Sequence, residues 1–163
     1  MARVLAELGF ESDPEMAHTA ERFTAFLTDW RGADDLPVPS LFDVEDSGLV
    51  VIRDIPYHSL CAHHLLPFFG HATVGYLPGR QVAGLGSVAR LVHHFAHRPQ
   101  LQERMGAQVA DALLETVGAR AAVVRLTARQ MCMEMRGVAS QGTVEVLTER
   151  GEATDVARLL AAL

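Results

Sequence analysis

Cys61 and His64 stand three residues apart in the segment CAHH, and the only other thiol of the chain is Cys132. A cysteine and a histidine at that spacing can both face one metal ion from a turn. With Cys132 they make two thiolates and one imidazole, a set that leaves the fourth position of a tetrahedral zinc open. An open zinc lowers the pKa of its bound water to about 7 and supplies hydroxide at neutral pH. His63 is the neighbour of His64 and can move protons beside such a water. The spacing alone leaves a second reading open, in which both thiols are small buried hydrophobes.

Glu103, in the run Gln102-Glu103-Arg104, begins a helical segment after Pro99. An acid there favours the helix dipole. The same carboxylate can accept two hydrogen bonds from a guanine N1–H and exocyclic amine, so it also carries two readings. His93, His94 and His97 fall on one expected helix, where surface or core packing, rather than substrate contact, is the expected role.

The elements that position these residues follow from periodicity. Residues 1–34 read as helical, with Leu5, Leu8, Phe23, Phe26, Leu27 and Trp30 at helical spacings and a break at Ser12-Asp13-Pro14. The linker ADDLPVPS follows. Residues 48–58 and 68–78 read as strands, with the CAHH segment between them. Residues 87–97 and 99–117 read as helices. Val88, Leu91, Val92 and Phe95 face one way in the first; Leu101, Met105, Val109, Leu113 and Leu114 do so in the second. Gly118 is the stop signal. Residues 121–135 and 142–149 read as strands, and the end of the chain as a short helix capped by Thr154 or Asp155. Two hairpins separated by a helix pair make an α+β fold with an antiparallel sheet of four strands. The expected division is an N-terminal helical segment, 1–35, and one domain, 36–163.

Composition excludes several classes. With 163 residues, 49% of them hydrophobic, the chain can bury a core of ordinary size. Its net charge of −6 argues against a general nucleic-acid binder. All 14 basic residues are arginine. Any grip on phosphate therefore comes from arginine, histidine or backbone N–H groups. Two cysteines make no disulfide scaffold. The first residues match neither a secretory nor a transit signal, and no run is long and apolar enough for a membrane span. The expectation is a soluble cytoplasmic protein with reduced thiols.

The segments CAHHLLPFFGHATVGYLP, GLGSVARLVHHFAHRPQLQERM and ARQMCMEMRGV occur in that order. Together they resemble GTP cyclohydrolase I over about residues 18–148. The resemblance implies a T-fold, assembled into a toroidal homodecamer with active sites between subunits. It implies a zinc enzyme that hydrolyses a guanine nucleotide at C8, opens the imidazole ring, releases formate and closes a pterin, 7,8-dihydroneopterin triphosphate. Carried over by position, Cys61, His64 and Cys132 are the zinc ligands and His63 the proton shuttle. Glu103 holds guanine, with Gln102 beside it. Arg90 and Arg136 are phosphate-binding arginines. Arg22 matches an arginine that reaches a neighbouring site, although Ala20 stands where that motif has proline.

The chain also departs from the family pattern. The family's second acid/base histidine before the metal-ligating cysteine is Gln130 here, and an amide cannot carry a proton at neutral pH. The family's Gly-Leu-Ser-Lys segment is Gly84-Leu85-Gly86-Ser87, which leaves Ser87 as its one polar side chain toward substrate. A lysine expected after the arginine motif is Ala25. These departures favour a reaction that stops at a formamidopyrimidine nucleotide, or a substrate with fewer phosphates than GTP. The alternatives are an ordinary GTP cyclohydrolase I, or a non-catalytic nucleotide-binding paralogue. Nitrile reduction, another chemistry of the T-fold, requires a cysteine outside a metal site.

Overall fold

The computed structural model describes residues 1–45 and 48–163. These form two compact units, Met1–Ala33 and Asp34–Leu163. In the first, helix α1 spans Ala2–Glu7 and α2 spans Thr19–Trp30. The expected break between them is a 3-10 turn, Pro14–Met16, capped by the Asp13 carboxylate, which accepts from the Glu15 N–H at 2.9 Å. The rings of Phe23, Phe26 and Trp30 follow one another along α2 at 6.0 and 6.1 Å, yet no residue of either helix is buried.

The second unit is α+β. Its strands are β1 (Leu41–Asp43), β2 (Val50–Cys61), β3 (Pro67–Leu77), β4 (Gln81–Ala83), β5 (Pro99–Gln100), β6 (Ala121–Gln130) and β7 (Thr143–Gly151). Its helices are α3 (Leu85–Ala96), α4 (Gln102–Val117), α5 (Met131–Glu134) and α6 (Ala153–Leu160). The expected four-stranded antiparallel arrangement is present as β2-β3-β6-β7. A fifth strand, β5, pairs in parallel with the end of β2, where Leu60 faces Pro99 and Cys61 faces Gln100. β1 and β4 form a separate ribbon. Among the described residues no helix is long and apolar enough to cross a membrane.

Helices α3 and α4 cover one face of the sheet. Leu91, Val92, Met105, Val109 and Leu113 pack with Tyr57, Phe68, Val74, Tyr76, Val124 and Leu126, all nearly or fully buried. Each such aliphatic side chain contributes about 1.5–3 kcal/mol by leaving water. α6 covers one end of the other face, with Val156 and Leu159 against Leu77, Ala121 and Val123. Gly118 ends α4 at φ 68°, a left-handed cap that glycine adopts without strain.

Three expected boundaries are corrected. The run 121–135 is not one strand. β6 ends where its last pair, Gln130 with Phe68, reaches the start of β3. The backbone beyond turns helical and satisfies itself, Met135 N–H donating to the Met131 carbonyl. α4 begins at Gln102 rather than residue 99, because Pro99 and Gln100 are drawn into the sheet. α6 is capped by Glu152 and not by Thr154 or Asp155: the Glu152 carbonyl accepts from the N–H groups of Asp155 and Val156, and no side chain caps the helix.

Candidate active site

The ends of three adjacent strands converge on Cys61, His64 and Cys132. Cys61 closes β2 and is buried. The chain then turns sharply: Leu65 N–H donates to the Cys61 carbonyl, and Cys61 N–H to the Leu66 carbonyl, both at 2.8 Å. Leu65 takes φ 54°, a left-handed conformation a leucine adopts only when its surroundings hold it there. That turn folds His64 back until its Nδ1 lies 3.9 Å from Cys61 Sγ. Cys132 arrives from the short α5 after β6. The three potential ligand atoms all lie within 4.8 Å of one another.

Burial pushes the Cys132 thiol up from its ordinary value, and the adjacent Cys61 sulfur adds to the effect; Arg136 acts in the opposite direction. Two thiols this close resist joint ionisation unless a cation sits between them. The donor set is two sulfurs and one imidazole nitrogen, which suits a borderline-soft dication such as zinc. The residues present therefore fit a metal. Arg136 approaches the far side of His64, its guanidinium donating to Nε2.

Beside the cluster lies a cleft of about 270 Å³, lined by Cys61, His63, Gln102, Glu103, Gln130 and Cys132 among others. His63 is exposed, its ring 6.1 Å from that of His64. Glu103 is exposed in the first turn of α4. The strap that places it there is pinned by Gln100, a residue without chemical signature in the sequence. Its backbone carbonyl accepts from Ala62 N–H, and its side chain donates to the Phe95 carbonyl and to Gln108 while accepting from Leu101 N–H and Arg104.

The other expected substrate residues are distributed differently. Gln102 is 2% exposed and gives its amide to protein partners. Ser87 is buried, and its hydroxyl oxygen accepts from Ser40 N–H at 3.0 Å and from Arg90 at 2.9 Å. Arg90 is thus tied to its own helix. Among the described residues no arginine lines the cleft. Arg22 lies on α2, in the N-terminal unit.

A model of the GTP cyclohydrolase I family matches residues 1–158. A protein named GTP cyclohydrolase 1 from Nitrosospira multiformis is 45% identical over 147 residues, covering 86% of this chain and 77% of that relative. One of the same name from Streptococcus pneumoniae is 47% identical over 107 residues, 66% of this chain. The match spans 58% of that relative's length. Among solved structures, the apo archaeosine synthase QueF-Like shares the fold at TM-score 0.53 and 18% identity, covering 67% of this chain and 99% of that one.

Proposed function

The chain belongs to the GTP cyclohydrolase I family, and from that premise we propose that it is a zinc-dependent hydrolase that opens the imidazole ring of a guanine nucleotide at C8. The observation that carries this reading is the convergence of Cys61, His64 and Cys132 within 4.8 Å, beside a cleft that His63 and Glu103 line. Cys61, His64 and Cys132 would hold the metal. Its chemistry there is that of a Lewis acid, which makes water nucleophilic near neutral pH.

The chain's own groups supply the rest. The Glu103 carboxylate offers two acceptor oxygens to the N1–H and exocyclic amine of guanine, which sets the base in the cleft. The His63 imidazole, exposed at the mouth, takes and returns a proton at a ring nitrogen. Water adds its hydroxyl to C8 and a proton to N7. The C8–N9 bond then breaks, the hydroxyl proton passes to N9, and C8 becomes a formyl carbonyl.

Gln130 stands where the later steps would need a second proton carrier. We therefore propose that the reaction stops at, or slows after, the formamidopyrimidine nucleotide. That no arginine among the described residues lines the cleft supports a substrate with fewer phosphates than GTP, or arginines supplied by neighbouring subunits of a homodecamer. Ordinary GTP cyclohydrolase I activity is the second reading, favoured by the names of the relatives.

Incubating the zinc-loaded protein with GTP, GDP, GMP and guanosine in turn separates these. Mass spectrometry showing a gain of one water without formate supports arrest at the formamide. Formate with a fluorescent pterin establishes the ordinary reaction. No turnover of any of the four overturns both readings and leaves nucleotide binding without catalysis.

A further inference from the structure

Gln102 and Gln130 form an amide pair whose polarity is decided by the backbone. The Gln102 side chain is almost wholly buried, and its Nε2 donates to the Leu126 carbonyl at 2.8 Å and to the Val144 carbonyl at 3.0 Å. Carbonyls only accept, so both amide hydrogens are spent and Gln102 Oε1 must point the other way. What it meets is Gln130 Nε2, at 2.7 Å. A flipped Gln130 would set two carbonyl oxygens against each other at that distance. Gln130 Oε1 is consequently held at the opposite end of its amide, 3.8 Å from Cys132 Sγ, in a cleft that Gln130 and Cys132 both line.

We propose that Gln102 is a positioning residue that locks Gln130 as a fixed hydrogen-bond acceptor, and that this acceptor is taken by an N–H created when the purine ring opens. The second half rests on the ring-opening reaction proposed above. In the closed purine N7 is a bare acceptor and N9 carries the sugar without a hydrogen. After water is added and the C8–N9 bond breaks, both nitrogens carry a hydrogen. An acceptor that cannot rotate is complementary to the opened ring and offers nothing to the closed one. Gln130 is then a specificity-determining residue for the opened state, and Gln102 acts through it rather than by reading the base.

Two measurements test this. Neutron diffraction from crystals of the perdeuterated zinc-loaded protein should place deuterons of Gln130 Nε2 toward Gln102 Oε1; density with the Gln130 oxygen facing Gln102 overturns the lock. Single-turnover ring opening is then compared for Gln130→Met, Gln102→Met and the double variant, beside equilibrium GTP affinity. Gln130→Met should slow ring opening by about 10-fold, the loss of one transition-state hydrogen bond, with GTP affinity held. Gln102→Met should reproduce that loss, and the double variant should be no slower than Gln130→Met alone. Losses that multiply, or a Gln102→Met that weakens GTP binding as Glu103→Ala does, overturn the positioning role. Gln102→Met strips the donor from the Leu126 and Val144 carbonyls; if it does not fold, Gln130→Met alone tests the acceptor and the nuclear density alone decides the lock. A wild-type protein that opens no guanine ring overturns the assigned donor together with the proposed function, while the nuclear density still decides the lock.

Discussion

Cys61 and Cys132 reach each other across a strand that belongs to neither: Cys61 closes β2, Cys132 follows β6, and β3 lies between them. The register of β3, Leu60 against Pro67 and Phe68 against Gln130, brings both strand ends to one level. With His64 their ligand atoms fall within 4.8 Å. Elemental analysis should therefore find about one zinc per chain, and Cys132→Ala should lose it. Metal-free protein with full activity would remove the metal from the reaction.

Glu103 is exposed in the first turn of α4, so Glu103→Ala should leave the fold intact. The loss of a favourable helix-dipole charge costs about 0.3–1 kcal/mol. Guanine-nucleotide affinity should fall by about 100-fold, because two charge-assisted hydrogen bonds disappear together. Calorimetric titration checks it. A variant that melts slightly lower but binds as before would reduce Glu103 to its dipole role.

Gln130→His should increase formate release. An imidazole N–H can still donate to Gln102 Oε1, so the buried partner stays satisfied, and the second nitrogen then carries a proton near neutral pH. General acid/base assistance is typically worth 10²–10⁴-fold, roughly, per step. Formate yield per ring opened is the readout, and an unchanged yield would show that this position does not set the outcome.

His94 and His97 give a pH dependence of stability. Burial lowers both from the ordinary histidine value; Arg98 lowers His94 further against an opposing pull from Asp34, and His93 and His58 lower His97 further. The unfolded chain therefore takes up protons before the folded one, so stability falls as pH drops below about 6.5 toward the folded values. Melting temperature should decline between about pH 7.5 and about pH 5, and His94→Gln with His97→Gln should flatten that decline. A steeper decline in the double variant would reverse the sign.

Gly70 sits where β3 passes closest to β6. A Cβ there would meet the Thr127 carbonyl oxygen at 1.8 Å, with backbone on both sides of the contact. Gly70→Ala should destabilise the fold by about 3 kcal/mol, read by denaturant unfolding. Gly48→Ala, where a Cβ meets nothing within 4 Å, is the control.

The C-x-x-H turn, the apolar faces of α3 and α4, the stop at Gly118 and the strand that became β7 were all legible in the sequence, because each leaves its mark within a few residues. So was the family, since its motifs are short and ordered. What the tertiary structure alone decided depends on partners distant along the chain. Pro99 and Gln100 read as the start of a helix but pair with Leu60 and Cys61, because the end of β2 offers unpaired backbone groups. Ser87 read as a polar group for substrate, yet the Ser40 N–H and Arg90 occupy its hydroxyl. Gln102 and Gln130 were two separate amides until the carbonyls of Leu126 and Val144 spent one set of donors and so oriented the other. A sequence names the donors and acceptors a chain owns; the packed fold determines which of them are already used.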